Sequence, residues 1–272
     1  MKIGVAIQLN CTREEELFEF QMALREIGVE PIYYGIIPFT TETTGVEDFS
    51  KYDKVLVYGS VKVISLWQNG FMPKETVVFY NEWNFDQLGY SNIMPKRHLL
   101  NGDAKFGKFG YLKDLQLSED RFVKPSKDLK AFPGIIVPQG KTIYEEVFSK
   151  QLSSSFSENA DDEVIMIAPL KEIKKEFRNF IIDGKIIDSS IYKIGSKITY
   201  EVPTDEEREG IQKFFECLCL YYEPHDCYVA DFALLEDGSW NLIEYNCINC
   251  AGMYAVDRRN VFNAMIEYAQ RV

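Results

Sequence analysis

The chain has 272 residues, 46% hydrophobic and 26% charged, the make-up of an ordinary globular protein able to bury a core in one large domain or two to three packed lobes. Its formal net charge of −12, from 42 acidic against 30 basic side chains, excludes a general nucleic-acid backbone binder, which needs a basic stripe. No apolar run approaches the roughly 20 residues that cross a bilayer, and the N-terminus turns polar too soon for a signal peptide, so no membrane partner and a cytoplasmic location are expected.

The first third reads as an α/β unit. Residues 3–9 form a short β-rich run, and Thr12 and Glu15 have the spacing of a capping box. Leu17, Phe20, Leu24 and Ile27 then recur at helical spacing, with Gly28 as the stop. Further strands are expected at 29–34, 55–58 and 77–80, in the strand–helix–strand order that gives parallel pairing. Gly59-Ser60 directly after a strand marks either a ligand-binding sheet edge or a plain tight turn. The stretch from Gly102 to Lys108 has P-loop spacing, but Phe109 replaces the metal-binding hydroxyl and no strong strand precedes it. It is read instead as a connector with solvated Lys105 and Lys108.

Lys124 ends a short strand halted by Pro125, and Lys130 precedes Phe132-Pro133-Gly134 and a second strand at 135–137. Two such lysines can grip a polyphosphate as point charges; equally, Lys127 and Lys130 can decorate a polar loop. Thr142 and Glu145 form another capping box, and the serine-rich, acidic stretch 153–163 reads as a lobe connection or loop. The run 164–170, broken by Pro169, can lay an adenine ring against apolar side chains while its backbone reads the ring edge. A hairpin around Asp183-Gly184 follows, with Glu176, Arg178 and Phe180 on one face of its first strand. An arginine among apolar neighbours needs an anion, which a protein carboxylate or a phosphate or carboxylate ligand would supply. Thr204 and Glu207 cap an amphipathic helix carrying Ile211, Phe214, Phe215 and Leu218.

The chain is organised around residues 228–246. Two strand-forming runs flank Asp237-Gly238, which favours a two-residue type I′ turn. Counting back from that turn places Asp231 opposite Glu244, with Asn246 on the same face. Opposed acids at about 5 Å repel, so either they point into water or something positive sits between them. Their oxygens suit Mg²⁺ or Mn²⁺ better than zinc. Cys247 and Cys250 have zinc-like spacing without a second paired element, and Cys217 and Cys219 fall in an apolar helical pattern; all read as free thiols. A last helix from about Asp257 turns Val261, Phe262, Met265 and Ile266 inward.

The ordered series of Lys124-Pro125, Lys130 with Phe132-Pro133-Gly134, Glu176-Phe177-Arg178, and Asp231 followed by Glu244 and Asn246 resembles the ATP-grasp superfamily. The likeness is strongest to a phage-associated clade marked by one arginine and two lysines. The resemblance implies an α/β (α+β) chain: two lobes gripping a nucleotide (96–163 and 164–272), preceded by a small parallel-sheet domain (1–95). It implies that Lys124 and Lys130 contact phosphates. Ile167, Ala168 and Leu170 would lie at adenine, Glu172 at the ribose, and Glu176 beside the nucleotide. Asp231, Glu244 and Asn246 would hold Mg²⁺, while Arg178, with Lys130, would neutralise a γ-phosphate or acyl-phosphate. The usual glycine-rich lid is shortened here to Phe132-Pro133-Gly134. The implied function is ATP-dependent joining of a carboxylate to an amine, on small-molecule or peptide substrates, with a small-molecule kinase or a non-catalytic ATP-binding module as alternatives. The sequence leaves the acceptor and the oligomeric state open.

Overall fold

The structure, a computed structural model, describes residues 1–127, 132–150 and 160–272, and three sheets run through them. Lys130 and the part of the serine-rich stretch from 153 to 159 lie outside the described residues. The first sheet contains β1 (Ile3–Gln8), β2 (Ile32–Ile36), β3 (Thr43–Thr44), β4 (Lys54–Tyr58) and β5 (Thr76–Val77), in the order β3-β2-β1-β4-β5. β1 runs parallel to β2 and β4, and β4 parallel to β5, as the strand–helix–strand order predicts.

The bounds differ from expectation for local reasons. Pro31 has no N–H to give a ladder, and β2 begins just after it. β5 stops at Val77, and the N–H of Phe79 instead donates to the Asn249 side chain (2.8 Å). The helix Glu14–Glu26 starts after Arg13, and the Thr12 hydroxyl turns back to donate to the Gln8 carbonyl (2.8 Å), so the expected capping box is not made. Gly28 does close that helix, at φ +79°.

A four-stranded antiparallel sheet forms a small lobe from β6 (Lys105–Lys108), β7 (Arg121–Pro125), β8 (Ile135–Val137) and β9 (Val164–Pro169), ordered β6-β9-β7-β8. The expected connector at Lys105–Lys108 is therefore a strand, with exposed lysines at both ends, as befits an unprotected edge. β9, which the sequence groups with the following lobe, is hydrogen-bonded here between β6 and β7. Phe109, Val123, Phe132, Val137 and Ile165 give this lobe a core of its own, closed by Ile143 and Val147 of the helix Ile143–Lys150.

The third sheet is antiparallel: β10 (Ile173–Ile182), β11 (Lys185–Ile194), β12 (Lys197–Glu201), β13 (Cys227–Leu235) and β14 (Trp240–Asn246), ordered β12-β11-β10-β13-β14. Strand alternation sends Phe177, Ile181, Ala230 and Phe232 to one face, against Ile211, Phe214, Phe215 and Leu218 of the helix Asp205–Cys219. Phe180, Ile182 and Val229 go to the other face, against Val261, Phe262 and Met265 of the helix Arg258–Arg271. The first sheet joins both cores, through Ala6, Val55 and Val57 on one side and Val5, Ile7 and Leu56 on the other. The first sheet and this one thus form one body, and the small lobe stands on it.

The two Asp-Gly hairpins turn differently. Asp183 (φ +54°) and Gly184 (φ +67°) are both left-handed, as a type I′ turn requires. At the second hairpin only Gly238 is left-handed (φ +82°), and the Leu235 N–H donates to the Ser239 carbonyl (2.9 Å) across a loop one residue longer than expected. That offset is undone by a bulge: Phe232 faces Leu242, but the next partners are Asp231 and Glu244. The predicted opposition of the two acids stands, reached through a three-residue loop and a compensating bulge.

Candidate nucleotide-binding site

Between the small lobe and the antiparallel sheet lies a cleft of about 650 Å³. Its apolar walls include Phe122 and Ile136 from the small lobe, and Leu170 and Ile243 from the body. Gly134 passes so close to Phe122 that a Cβ there would sit 2.6 Å from the ring, so only glycine lets the Phe132-Pro133-Gly134 turn press that ring to the cleft. Among the described residues, the cleft's charged groups are four lysines, Lys124, Lys127, Lys171 and Lys193, and two acids, Glu176 and Glu244.

Each lysine is closed on a carboxylate. Lys124, near the end of β7, pairs with Glu244 of β14 across the cleft. Lys127 pairs with Glu82, Lys171 with Asp103 (2.6 Å), and Lys193 with Glu176 (2.6 Å), which it faces across β10 and β11. The hydrogen bond to Glu82 holds the Lys127 ammonium above its ordinary pKa, against the opposing effect of burial.

Behind Glu244 lies a buried network. Arg178 faces Asp231 across β10 and β13, and its fork holds both carboxylate oxygens, Nε to Oδ1 at 2.9 Å and Nη2 to Oδ2 at 2.7 Å. The Asn246 amide donates to Asp231 Oδ2 (3.2 Å) and to Glu244 Oε1 (3.3 Å), joining the three oxygen-bearing side chains of the hairpin. Burial disfavours the charge on Arg178, and the Asp231 carboxylate more than offsets it, so the guanidinium stays protonated with its pKa raised. Burial likewise pushes the Asp231 carboxyl up, and the arginine fork opposes that rise. The positive group demanded by the opposed acids is therefore supplied by the chain itself, Arg178 on Asp231 and Lys124 on Glu244.

Tyr254 completes the surroundings of Arg178. Its hydroxyl accepts from Nη1 (3.3 Å), and the guanidinium carbon lies 4.9 Å from its ring centroid and 5.5 Å from that of Tyr192. Tyr254 is held at φ +48°, an uncommon conformation for an aromatic residue. The neighbouring chain is bolted to β11, with Ala255 N–H on Ser190 Oγ (3.1 Å) and Asp257 N–H on Asp188 Oδ2 (2.7 Å).

A family model described as "ATP-grasp domain, R2K clade family 2" matches residues 107–264, more than half of the chain. The chain belongs to the ATP-grasp family. Solved structures of three ligases and synthetases share its fold over most of its length. A D-alanine–D-alanine ligase from Bacillus anthracis, complexed with ATP, aligns at TM-score 0.58 and 17% identity, covering 100% of this chain and 98% of that one. A D-cycloserine synthetase aligns at TM-score 0.57 and 12% identity, covering 97% and 99%. An L-amino acid ligase from Bacillus licheniformis aligns at TM-score 0.55 and 13% identity, covering 94% and 69%. No curated protein matches the chain in sequence.

Within this ATP-grasp cleft the sequence-derived residues divide. Lys124, Leu170, Glu176 and Glu244 line it, and Arg178, Asp231 and Asn246 stand directly behind Glu244. Ile167, Ala168 and Glu172 stand outside its lining. β9 is an inner strand, so Ala168 is fully buried, Ile167 packs on the small-lobe core, and only Pro169 and Leu170 at the strand's end reach the cleft. Glu172, just before β10, is exposed. The sequence does not single out Lys171 or Lys193, and it leaves Lys127 as loop decoration. Their signal is weak because a strand or loop lysine looks the same whether it faces solvent or a cleft. Neither His98 nor His225 lines the cleft. Among the described residues no group of three or more His, Cys, Asp or Glu is arranged to hold a metal, and Cys247 lies buried with its thiol on the Phe79 carbonyl (3.5 Å). No helix among the described residues is long and apolar enough to cross a membrane.

Proposed function

We propose that the chain is an ATP- and Mg²⁺-dependent ligase that activates a carboxylate as an acyl-phosphate for attack by an amine. The observation carrying this reading is the Lys124–Glu244 pair spanning the cleft, backed by the Arg178–Asp231–Asn246 network. The apolar walls at Phe122, Ile136, Leu170 and Ile243 suit a flat base, and the lysines suit a polyphosphate.

The donor set fits a hard divalent cation, since Glu244, Asn246 and Asp231 carry oxygens drawn together by hydrogen bonds. Glu244 reaches the cleft directly; Asp231 is sealed by Arg178 and acts from behind. Mg²⁺ held there would neutralise phosphate oxygens during transfer. Bringing a carboxylate to ATP joins two anions, so the protein's task is positioning and charge neutralisation. Lys124 and Lys193 hold phosphate oxygens, and Arg178, oriented by Asp231 and Tyr254, meets the charge on the far side of Glu244. Lys130 belongs to this proposal on sequence grounds alone. No histidine base is required. Two of the solved neighbours are named as amino-acid or dipeptide ligases, which favours an amino-acid or peptide carboxylate here.

The test is incubation of the protein with ATP, Mg²⁺ and pairs of amino acids or short peptides, with products followed by mass spectrometry. A ligase gives ADP, inorganic phosphate and an amide in equal amounts. A stable phosphorylated acceptor without amide would overturn the reading in favour of a kinase.

A further inference from the structure

β12 is the outermost strand of the antiparallel sheet, and no described strand pairs with its outer side. Such an edge is normally blunted by charge or covered. Here Lys197 and Glu201 stand at the two ends of the strand, and one of its faces carries an apolar row. Ile198 (69% exposed) and Tyr200 (51%) are two residues apart in the strand, so they share one face, and Val202 (60%) follows just past the strand's end. The face is the one that meets the site: Tyr200 stacks on Tyr254 (4.8 Å between centroids, 9° between planes), and Tyr254 stacks on Tyr192, which lines the cleft (5.6 Å, 29°). Arg178 lies against Tyr254 and Tyr192. A continuous aromatic path thus leads from an open sheet edge to the buried guanidinium. The left-handed backbone of Tyr254 fixes the middle rung.

We propose that the outer edge of β12 docks an extended peptide, and that this peptide is the carboxylate substrate of the cleft. The inference rests on the ligase reading, and it names the substrate class. A peptide laid on β12 completes the unpaired ladder with main-chain hydrogen bonds, and its alternate side chains sit on Ile198, Tyr200 and Val202. The specificity is therefore for strand-forming sequences with apolar residues at alternate positions. A second copy pairing edge to edge would cover the same row, but the net charge of −12 opposes self-association, and it would leave the path to Arg178 unused.

The test titrates the full chain, without nucleotide, with an acetylated peptide of alternating valine and threonine bearing a free C-terminal carboxylate. The same peptide with alternate backbone amides N-methylated is the control, since it cannot complete the ladder. The unmethylated peptide is expected to bind about tenfold or more tightly, the worth of one or two hydrogen bonds. Ile198→Lys should weaken the peptide similarly and leave the affinity for a non-hydrolysable ATP analogue unchanged. With ATP, Mg²⁺ and an amino acid, the peptide should be extended at its carboxylate.

Equal binding of the two peptides, or none at about 1 mM, overturns the proposal. So does a dimer that Ile198→Lys dissociates and the peptide does not. A chain that turns over ATP with free amino acids but ignores the peptide sinks the docking edge alone. A chain that binds the peptide as expected and never releases ADP sinks the ligase reading.

Discussion

Lys124 and Glu244 join two lobes through one ion pair: the ammonium comes from the small lobe's β7, and the carboxylate comes from β14 of the body. The small lobe has a separate core, so this contact, with the Lys127–Glu82 pair, helps tie it to the body. Glu244→Gln keeps the shape and removes the charge. It is expected to lower the Mg²⁺-dependent part of ATP-analogue affinity by about 100-fold, the upper range for disturbed metal sites, and to leave metal-free binding little changed. Calorimetric titrations with and without Mg²⁺ measure both. Equal Mg²⁺ dependence in the variant and the parent would remove Glu244 from the cation site.

The Arg178–Asp231 pair is buried, with 10% and 2% of the two side chains exposed. Asp231→Asn leaves the guanidinium's charge buried without its counter-ion, a loss expected to cost about 3–5 kcal/mol. Urea unfolding reads it directly. The double change Arg178→Met with Asp231→Leu removes both charges and should recover much of that loss. A single variant as stable as the parent would show that the pair contributes nothing to the fold.

Lys193 is one of two cleft lysines, with Lys171, that the sequence does not single out, and its partner Glu176 could hold it for structural reasons alone. Lys193→Ala separates the two roles. Loss of a charge-assisted hydrogen bond to phosphate should weaken ATP-analogue binding by about tenfold or more. Unchanged affinity, with any effect confined to stability, would assign Lys193 to the sheet rather than to the nucleotide.

His225 gives stability a pH dependence. Its Nδ1 accepts from the Cys227 N–H (3.1 Å), which requires a neutral acceptor nitrogen, and burial lowers its pKa below the usual value against the opposing effect of Asp226. The unfolded chain therefore takes up this proton more readily than the folded one. Stability is lost as pH falls through the ordinary histidine range near about 6.5 toward the depressed folded value. His98, also lowered by burial, adds in the same direction. The drop in urea midpoint between about pH 7.5 and about pH 5.5 should shrink in His225→Asn, and an unchanged drop would exclude His225 as its source.

How much was legible in the sequence depended on whether local chemistry decided the outcome. The Thr204 cap was legible because its hydroxyl and Glu207 need only each other and the first turn. Thr12 has the same spacing, and its hydroxyl went to the Gln8 carbonyl, an acceptor that a capping-box pattern does not consider. The opposition of Asp231 and Glu244 was foreseen by a route the chain does not take. The loop around Gly238 is one residue longer and the bulge beside Leu242 returns that residue; regular pairing beyond Leu242 would instead set Ile243 opposite Asp231 and turn Glu244 to the other face. The ATP-grasp motifs were readable in order because they are short and strand-borne. The lysine partners were not, since Glu82 and Asp103 lie far from Lys127 and Lys171 in the chain. Both cores join side chains from either side of the boundary expected at residue 95, contacts distant in the chain that local pattern does not reveal.

Among the described residues, the four lysines of the cleft are each already satisfied by a carboxylate, an arrangement that would favour a visitor carrying both signs of charge. A lone anion that captured an ammonium would strand an acid in a confined space, and a lone cation would strand a base. Only a visitor that delivers both signs together leaves every group matched. Exchange of one ion pair for another also keeps their number constant, so occupancy should vary little with ionic strength despite the density of charge. By the same arithmetic, free phosphate or a divalent ion alone is expected to bind the cleft more weakly than the two delivered together.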